Sequence, residues 1–374
     1  MEEKSNIGII TVPINKSGLT PLSQLIDIVS SISKTTFLIS GNRGYHKYKN
    51  SSNIKSIKIE RSVFKNTLFK VINYIYFQFK ISFQIIKLKS KVGKWIFFIG
   101  GDVLLLPILT ARLLKIDAIL LLSGSSTETH KCYLDNRLWT IFQFLSRITF
   151  FFVSKILVYS KSIIKLQKLE KYSSKISIAP RHKINLEIFN IKKTFKDRDS
   201  IIGFVGRLSE EKAPMNFLLS VSSIIKKNDD IRFLIIGNGK LKRKIIKYIR
   251  KKDLGEKIDV IDWVDHRTLS KYLNDMKLLI IPSHTEGLPN IMLESMACGT
   301  PVLANNVGAI PDIIINGKTG FLMENNTPEN ISRNVIEIIK KHDLEKISLN
   351  GKKFVENKFK FELILKNYES ILIG

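Results

Sequence analysis

Cysteines are scarce in this sequence. The 374 residues contain two, Cys132 and Cys298, which lie far apart along the chain. Two isolated cysteines exclude a disulfide framework and a zinc-finger spacing, and they favour a reducing compartment. The first residues, MEEKSN, begin with acidic side chains and lack the basic start and apolar core of a signal peptide. The sequence therefore predicts a cytoplasmic protein.

Acidic residues are also few. Asp and Glu total 33 against 60 Lys and Arg, which gives a formal net charge of +27. A codon bias towards Lys would raise Glu as well, so codon bias alone does not explain this imbalance. A strongly basic chain needs an anionic partner, which is a nucleic acid, an anionic membrane or a phosphorylated substrate.

The segment Arg61–Gly101 contains no Asp or Glu at all. Five of its apolar residues recur at helical spacing: Phe64, Leu68, Val71, Ile75 and Phe79. Two interpretations stay open for this helix. It packs its apolar face on the core with a solvated basic side, or it lies on an anionic bilayer with its aromatic residues in the interface. Lys80 and the later lysines argue against a membrane-spanning helix.

The hydrophobic content indicates packed cores. Apolar residues make up 44% of the chain and aromatic residues 9%, over a length that accommodates two α/β domains. Short apolar runs alternate with segments of helical periodicity from Ile7 onwards. This alternation is typical of βαβ units in parallel sheets.

The most informative stretch begins with the apolar run Leu278–Ile281, which Pro282 stops. A loop follows over 283–289, then a predicted helix from Asn290 to Cys298 and a second apolar run from Pro301 to Ala304. Strand, loop, helix and strand in this order form one βαβ unit.

Two carboxylates lie inside this unit. Glu286 is on the loop after the first strand, and Glu294 is about one turn into the helix. Ligands of open α/β sheets bind beyond the carboxyl ends of the strands, and a helix start suits a phosphate. The two side chains are either solvated surface glutamates or acceptors for the hydroxyl groups of a sugar.

A second motif, GFVGRLSEEKAP, follows the predicted strand Ile201–Val205. Gly206 allows a tight turn after the strand. Arg207 and Lys212 then leave the carboxyl end of the strand, where both can reach a diphosphate.

Together, GFVGRLSEEK and the string IIPSHTEGLPNIMLESMACGTPVLANNVGAIPDII resemble the donor-binding half of glycosyltransferase family 4, the retaining group 1 enzymes with the GT-B fold. The resemblance is dense from about residue 201 to residue 322. It implies two Rossmann-like domains facing across a cleft, with the last helix crossing back to the first domain. We therefore expect an acceptor-binding domain over 1–190 plus 355–374, a linker over 191–200, and a nucleotide-sugar domain over 201–354.

The resemblance also implies roles for individual residues. Arg207 and Lys212 would bind the donor diphosphate, Glu286 the sugar hydroxyls and Glu294 the ribose. Further donor contacts are implied for Gly18, Gly206, Gly237, Val264, Gly287, Leu288, Pro289, Asn290 and Ile291. On the acceptor side, Ser123 stands where relatives often have a catalytic His, and His130 lies close by. No Asp-x-Asp motif occurs at the expected site, so fixed cations are predicted to replace a metal, and no cofactor is expected.

The predicted function is that of a retaining, hexosyltransferase-type enzyme. It would move a sugar from a nucleoside diphosphate to a hydroxyl of a lipid-linked or cell-surface glycan, in polysaccharide biosynthesis, while resting on the inner face of the cell membrane. Two alternatives stay open. One is a GT-B sugar-nucleotide epimerase, and the other is a basic nucleic-acid-binding protein with a decayed donor site. The sequence contains no specific nucleic-acid motif, which argues against the latter.

Overall fold

The computed structural model describes residues 5–62, 64, 66–122 and 136–374. The chain divides into two compact units. The first unit comprises Met1–Arg181 with Ile364–Gly374, and the second comprises His182–Leu363. Each unit is built on its own parallel sheet.

In the described part of the first unit, a seven-stranded sheet has the order β3-β2-β1-β4-β5-β6-β7. Its strands are β1 Ile7–Ile10, β2 Thr36–Ser40, β3 Ile54–Lys58, β4 Lys94–Phe97, β5 Asp117–Leu121, β6 Lys155–Val158 and β7 Ile176–Ile178. The central strand β1 pairs in parallel with β2 and with β4, and Ile7 lies opposite both Thr36 and Lys94. Because parallel neighbours need crossover connections, helices separate most of these strands.

The described helices of this unit are Lys16–Ile32, Asn42–Tyr48, Thr67–Lys87, Leu105–Leu113, Asn136–Phe152 and Lys161–Leu166. The C-terminal helix, Phe361–Leu372, packs on the edge of the same sheet. There the buried Tyr368 donates its hydroxyl hydrogen to the carbonyl of Ala179 at 3.1 Å, and Asn367 donates to the carbonyl of Ile178 at 3.0 Å. The predicted return of the last helix to the first domain is therefore confirmed.

The second unit contains a six-stranded parallel sheet of order β10-β9-β8-β11-β12-β13. Its strands are β8 Ile201–Val205, β9 Arg232–Ile236, β10 Ile258–Ile261, β11 Met276–Ile281, β12 Val302–Asn305 and β13 Phe321–Met323. Its helices are Pro214–Ile225, Lys242–Lys251, His266–Asp275, Asn290–Ala297, Pro328–Lys341 and Leu344–Phe359. This strand order is that of a Rossmann fold, in which the chain reverses direction across the sheet between β8 and β11.

The segment predicted as a linker, 191–200, is instead packed on the second unit. The backbone N–H of Lys192 donates to Asn274 Oδ1 at 2.7 Å. The guanidinium of the buried Arg198 donates to Thr300 Oγ1 at 2.7 Å and to the carbonyl of Cys298 at 2.6 Å. Burial lowers the pKa of Arg198 to about 10, so it stays charged at neutral pH. The boundary between the two units therefore lies between residues 181 and 182, and not at the predicted linker.

The orientation of the acid-free helix Thr67–Lys87 contradicts the core-facing interpretation. Leu68, Val71, Ile75 and Phe79 are all exposed, as is Phe64 before the helix begins. The buried face consists of other residues, among them Phe77, Ile81 and Ile85. The core-facing interpretation is therefore wrong for the five residues on which it was based. Within the described ranges, the helices are too short or too polar to cross a membrane.

Arg198→Ala should destabilise the second unit by about 2–4 kcal/mol, because several buried carbonyl groups lose a charged donor. Urea unfolding, followed by circular dichroism, measures the loss. Lys196→Ala is the matched control, since the Lys196 side chain is 82% exposed. Equal midpoints for the two variants would contradict a structural role for the 191–200 segment.

Candidate functional site

A cavity of about 440 Å³ opens at the switch point of the second sheet. The ends of β8 and β11 form its floor through Val205 and Ile281. The loops after these two strands and the start of the helix Asn290–Ala297 form its walls. The crevice beyond the strand ends is the place where doubly wound sheets bind ligands.

Three side chains from two loops meet in this cavity. Lys212 Nζ lies 2.7 Å from Glu286 Oε1, and Ser283 Oγ donates to the same oxygen at 2.7 Å. The Glu286 side chain is 8% exposed and that of Lys212 is 24% exposed. A carboxylate at this depth needs charged and hydrogen-bonding partners, because burial without them is costly. The ion pair therefore joins the loop after β8 to the loop after β11.

Arg207 lines the same cavity and is held more loosely. Its Nη1 lies 3.5 Å from Glu211 Oε1, four residues on, and its side chain is half exposed. An exposed ion pair of this kind contributes little to stability. Arg207 can therefore exchange Glu211 for an anionic ligand in the cavity.

Two glycines keep the walls in place through close backbone contacts. Gly237 has φ +150, and a Cβ at this position would lie 1.9 Å from the carbonyl oxygen of Gly206. Gly308 has φ +59, and a Cβ there would lie 2.0 Å from the carbonyl oxygen of Glu286. The predicted turn at Gly206 is thus made possible by Gly237, because a Cβ on Gly206 itself would meet only ordinary contacts at 3.5 Å.

The helix Asn290–Ala297 begins at the cavity wall. Its first two residues, Asn290 and Ile291, line the cavity, and its N-cap residue is Pro289, whose side chain offers no hydrogen-bond acceptor. The backbone N–H groups of a first turn have no acceptor within the helix, and they carry the positive end of its dipole. This wall suits an anion.

Glu294 lies one turn further along and points its carboxyl into the cavity wall. It is almost fully buried, and burial alone raises the pKa of this carboxyl to about 7. A buried carboxyl with a raised pKa is a common feature of binding and catalytic sites.

The far wall consists of the segment after β10. Trp263, Val264 and His266 line the cavity there, and Trp263 is 63% exposed. Asp265 caps the helix His266–Asp275 by accepting hydrogen bonds from the backbone N–H groups of Arg267 and Thr268. These bonds lower the pKa of Asp265 and fix its carboxylate as a cap, not as a ligand contact.

The structure brings most of the predicted donor residues together. Nine of them line this one cavity: Gly206, Arg207, Lys212, Val264, Glu286, Pro289, Asn290, Ile291 and Glu294. Gly237, Gly287 and Leu288 support the walls from behind, since the Gly287 carbonyl accepts from the N–H of Ala309 at 2.9 Å and Leu288 is buried. Gly18 belongs to the first unit, and Ser123 and His130 lie outside the described residues.

Sequence reasoning missed three polar or aromatic groups of the site: Ser283, Trp263 and His266. Ser283 directly follows Pro282 at the end of β11, so its position after a buried strand was an available signal. The side chain of His266 packs against Phe189, with ring centroids 5.7 Å apart, and no spacing in the sequence indicated this contact. Within the described ranges no cluster of metal-ligating side chains occurs, and the absence of a metal stays a prediction.

Comparisons with known proteins find a family match in the unit that holds this cavity. Residues 187–354 match the family model of glycosyl transferases group 1. The chain is 30% identical over 174 residues to the capsular polysaccharide biosynthesis glycosyltransferase CapM of Staphylococcus aureus. This alignment covers 46% of this chain and 45% of CapM. It is 34% identical over 137 residues to an uncharacterized glycosyltransferase of Methanocaldococcus jannaschii. That alignment covers 36% of this chain and 38% of the other protein. These matches thus span less than half the length of either relative.

The whole chain is similar in structure to HepE of Anabaena, solved in complex with UDP. The TM-score is 0.77 at 11% identity, and the likeness covers 99% of both chains. The fold is GT-B. The predicted pair of Rossmann-like domains is thereby confirmed, and the family match lies within the second GT-B unit, around the cavity.

Gly308→Ala should destabilise the loop of Glu286, because the new Cβ meets the Glu286 carbonyl oxygen and Ala is strained at φ +59. Gly317→Ala is the matched control, since Gly317 has φ +70 and no atom within 4 Å of the added Cβ. The control should cost about 1–2 kcal/mol from backbone strain alone. Thermal unfolding should give a lower midpoint for Gly308→Ala, and the reverse order would contradict the close contact.

Proposed function

We propose that this chain is a retaining glycosyltransferase of family 4 type, which transfers a sugar from a nucleoside diphosphate to an acceptor hydroxyl. The ion pair between Lys212 and Glu286 carries the proposal, because it places a cation and a buried hydrogen-bond acceptor side by side in one cavity. A diphosphate sugar presents the complementary pair of groups, an anion next to hydroxyls.

The diphosphate is assigned to the end of the cavity that carries positive charge. Lys212 and Arg207 supply two cations there, and the start of the helix Asn290–Ala297 supplies backbone N–H groups. Lys212 and the backbone N–H groups are fixed by the fold before the donor arrives, and Arg207 joins them by exchanging Glu211 for the phosphate, so together they stabilise the charge that grows on the leaving group. Fixed cations would take the place of a metal ion.

The transferred sugar is assigned to Glu286. Lys212 and Ser283 both bond to Oε1, and we assign Oε2 to a hydroxyl of the sugar. A carboxylate held by two partners is oriented in advance, which favours one sugar position over others.

The nucleoside is assigned to Glu294 and the wall of Trp263 and Val264. The Glu294 carboxylate would accept hydrogen bonds from the ribose hydroxyls, and the wall after β10 would lie against the base. HepE, whose fold this chain shares, has been solved with UDP and with UDP-glucose, which supports a uridine donor.

In the proposed reaction, the bond between the anomeric carbon and the phosphate oxygen breaks, and its electron pair stays on the diphosphate. The acceptor oxygen bonds to the same face of the anomeric carbon. Its proton passes to the departing phosphate, so no side-chain base is required. Lys212 and Arg207 neutralise the charge on the leaving group throughout.

The acceptor is proposed to be a lipid-linked or cell-surface glycan. The relative CapM is named for capsular polysaccharide biosynthesis, and it is 30% identical to this chain over 174 residues. The excess of 60 basic over 33 acidic residues is consistent with an enzyme that works beside an anionic surface.

A panel of UDP-, GDP- and ADP-sugars tests the proposal, with thermal shift and sugar transfer or donor hydrolysis as readouts. We expect one nucleotide class to stabilise the protein. Lys212→Ala should lower turnover about 10²–10³-fold, because a preorganised cation is lost where charge develops.

Lys240→Ala is the control for that substitution, because Lys240 is an exposed lysine on the same unit and does not line the cavity. It should keep wild-type turnover. Full activity of Lys212→Ala, or binding of none of the donors, would contradict the proposed site.

The raised pKa of Glu294 predicts a pH-dependent affinity. In the free protein this carboxyl is protonated below about pH 7, and ribose hydroxyls bind its ionised form. Binding below pH 7 must therefore release a proton, and affinity should rise with pH by up to about tenfold per unit until it levels off above pH 7.

Calorimetric titration between pH 5 and pH 8 measures this slope. A nucleotide sugar is the right probe, because its diphosphate carries the same charge over that range. Glu294→Gln should bind more weakly and without the slope. A slope that survives in Glu294→Gln would assign the proton to another group of the cavity.

A further inference from the structure

The helix Thr67–Lys87 presents an apolar stripe to solvent, which we name the outer face. It consists of Leu68, Ile72, Ile75, Tyr76, Phe79, Phe83 and Ile86. These residues follow one another at helical spacing, and Leu68 and Phe83 are 65% and 63% exposed. An apolar stripe of this length that is exposed to solvent indicates an interaction site.

Two polar side chains of the same helix, those of Tyr74 and Gln78, are turned inward. Gln78 is buried, and its Oε1 accepts a hydrogen bond from the backbone N–H of Leu106 at 3.0 Å. The Tyr74 hydroxyl donates to the carbonyl of Val103. These bonds fix the rotation of the helix about its axis, so the outer face is held towards solvent by the core itself.

Two neighbouring helices extend the apolar surface. The helix Leu105–Leu113 packs against Thr67–Lys87, and the helix Asn136–Phe152 packs against Leu105–Leu113. They expose further large apolar side chains: Leu113, Ile141, Phe144 and Phe151. The three helices therefore form one layer on the first unit.

The sequences of these three helices contain no Asp or Glu. Their exposed cations include Lys70, Lys80, Lys87 and Arg112. Lys80 Nζ lies 4.3 Å from the ring centroid of Tyr76, so a cation and an aromatic ring share the edge of the outer face. Apolar rings flanked by cations match the interface of an anionic bilayer.

A groove of about 470 Å³ runs beside the outer face. Tyr76, Phe79 and Phe83 line it together with Lys80 and with Lys58, which pairs with Glu60 at 2.8 Å. The aromatic wall of this groove, with Lys80 at its rim and Glu60 paired with Lys58, fits an acyl chain below its phosphate group.

We propose that the outer face is a peripheral docking surface for an anionic lipid bilayer, into whose interface Phe79 and Phe83 insert while Lys80 and Lys87 meet the phosphate groups. A second copy of the chain fits this surface poorly, because self-pairing would bring cations against cations in helices that contain no acid. The proposal deepens the assignment of a lipid-linked acceptor, but the outer face and the donor cavity lie in different units and can be tested separately.

Vesicle flotation of the full chain tests the proposal, with phosphatidylcholine alone or mixed with 30% phosphatidylglycerol. We expect the wild type to float with the anionic vesicles only. Phe79→Ser combined with Phe83→Ser should reduce binding at least tenfold at any salt concentration, because apolar insertion is lost. Lys80→Glu combined with Lys87→Glu should reduce it most at low salt, where the charges are least screened.

Lys244→Glu combined with Lys251→Glu is the charge-matched control. Both residues are exposed on the basic helix Lys242–Lys251 of the second unit, so net charge falls equally. Leu349→Ser, at an exposed leucine of the second unit, is the apolar control. Both controls should float like the wild type. The Phe79 and Phe83 variant should keep wild-type donor affinity, which separates loss of docking from failure of the donor site.

Three results would overturn the proposal. The first is a wild type that does not float with anionic vesicles. The second is an equal loss of binding in the Lys244 and Lys251 control, which would assign binding to net charge alone. The third is a dimer in solution that the Phe79 and Phe83 substitutions dissociate, which would assign the outer face to a second copy.

Discussion

The ion pair between Lys212 and Glu286 is the interaction on which the cavity of the second unit depends. Glu286 is buried on a loop that belongs to β11, and its compensating cation comes from the loop that follows β8. Neither loop alone could keep a carboxylate at this depth, because an unpaired buried charge is strongly destabilising. The pair therefore requires β8 and β11 to be neighbours, and the Rossmann strand order makes them so. The proposed donor, which brings an anion and hydroxyls, would replace part of this pair without leaving either charge unpaired.

The backbone around the pair is constrained as tightly as its side chains. A Cβ on Gly308 would meet the Glu286 carbonyl and a Cβ on Gly237 would meet that of Gly206, so each of the two cavity loops packs against a glycine from another part of the chain. The position of Glu286 is set by Ser283, Lys212 and Gly308 together, and only the first of these is close to it in sequence.

The sequence predicted the parts of this arrangement that are local. Pro282 after an apolar run marked the end of β11, and EGLPN marked the loop and the helix start that follow it. Contacts between segments that are distant in sequence cannot be predicted from such local patterns. The tight approach at the end of β8 was attributed to Gly206, whereas the steric requirement falls on Gly237, about thirty residues later. The 191–200 segment is as polar as a linker, but Arg198 finds carbonyl groups a hundred residues away. The helix Thr67–Lys87 shows the same limit. The spacing of its apolar residues predicts a stripe, but it does not predict whether that stripe faces the core or the solvent.

The orientation of that helix also bears on the unusual net charge. The proposed diphosphate needs only a few cations, and Arg207 and Lys212 with one helix start would provide them. The acid-free helices of the first unit lie far along the sequence from these residues, and the described residues that line the cavity all belong to the second unit. A chain selected only for donor binding would gain nothing from excluding Asp and Glu from three adjacent helices, and it would lose solubility by exposing their aromatic residues. Both features become favourable together when the surface faces anionic lipid, since the aromatic rings leave water and the cations find phosphate groups. Under the two proposals, the two units would therefore use positive charge for two different anions.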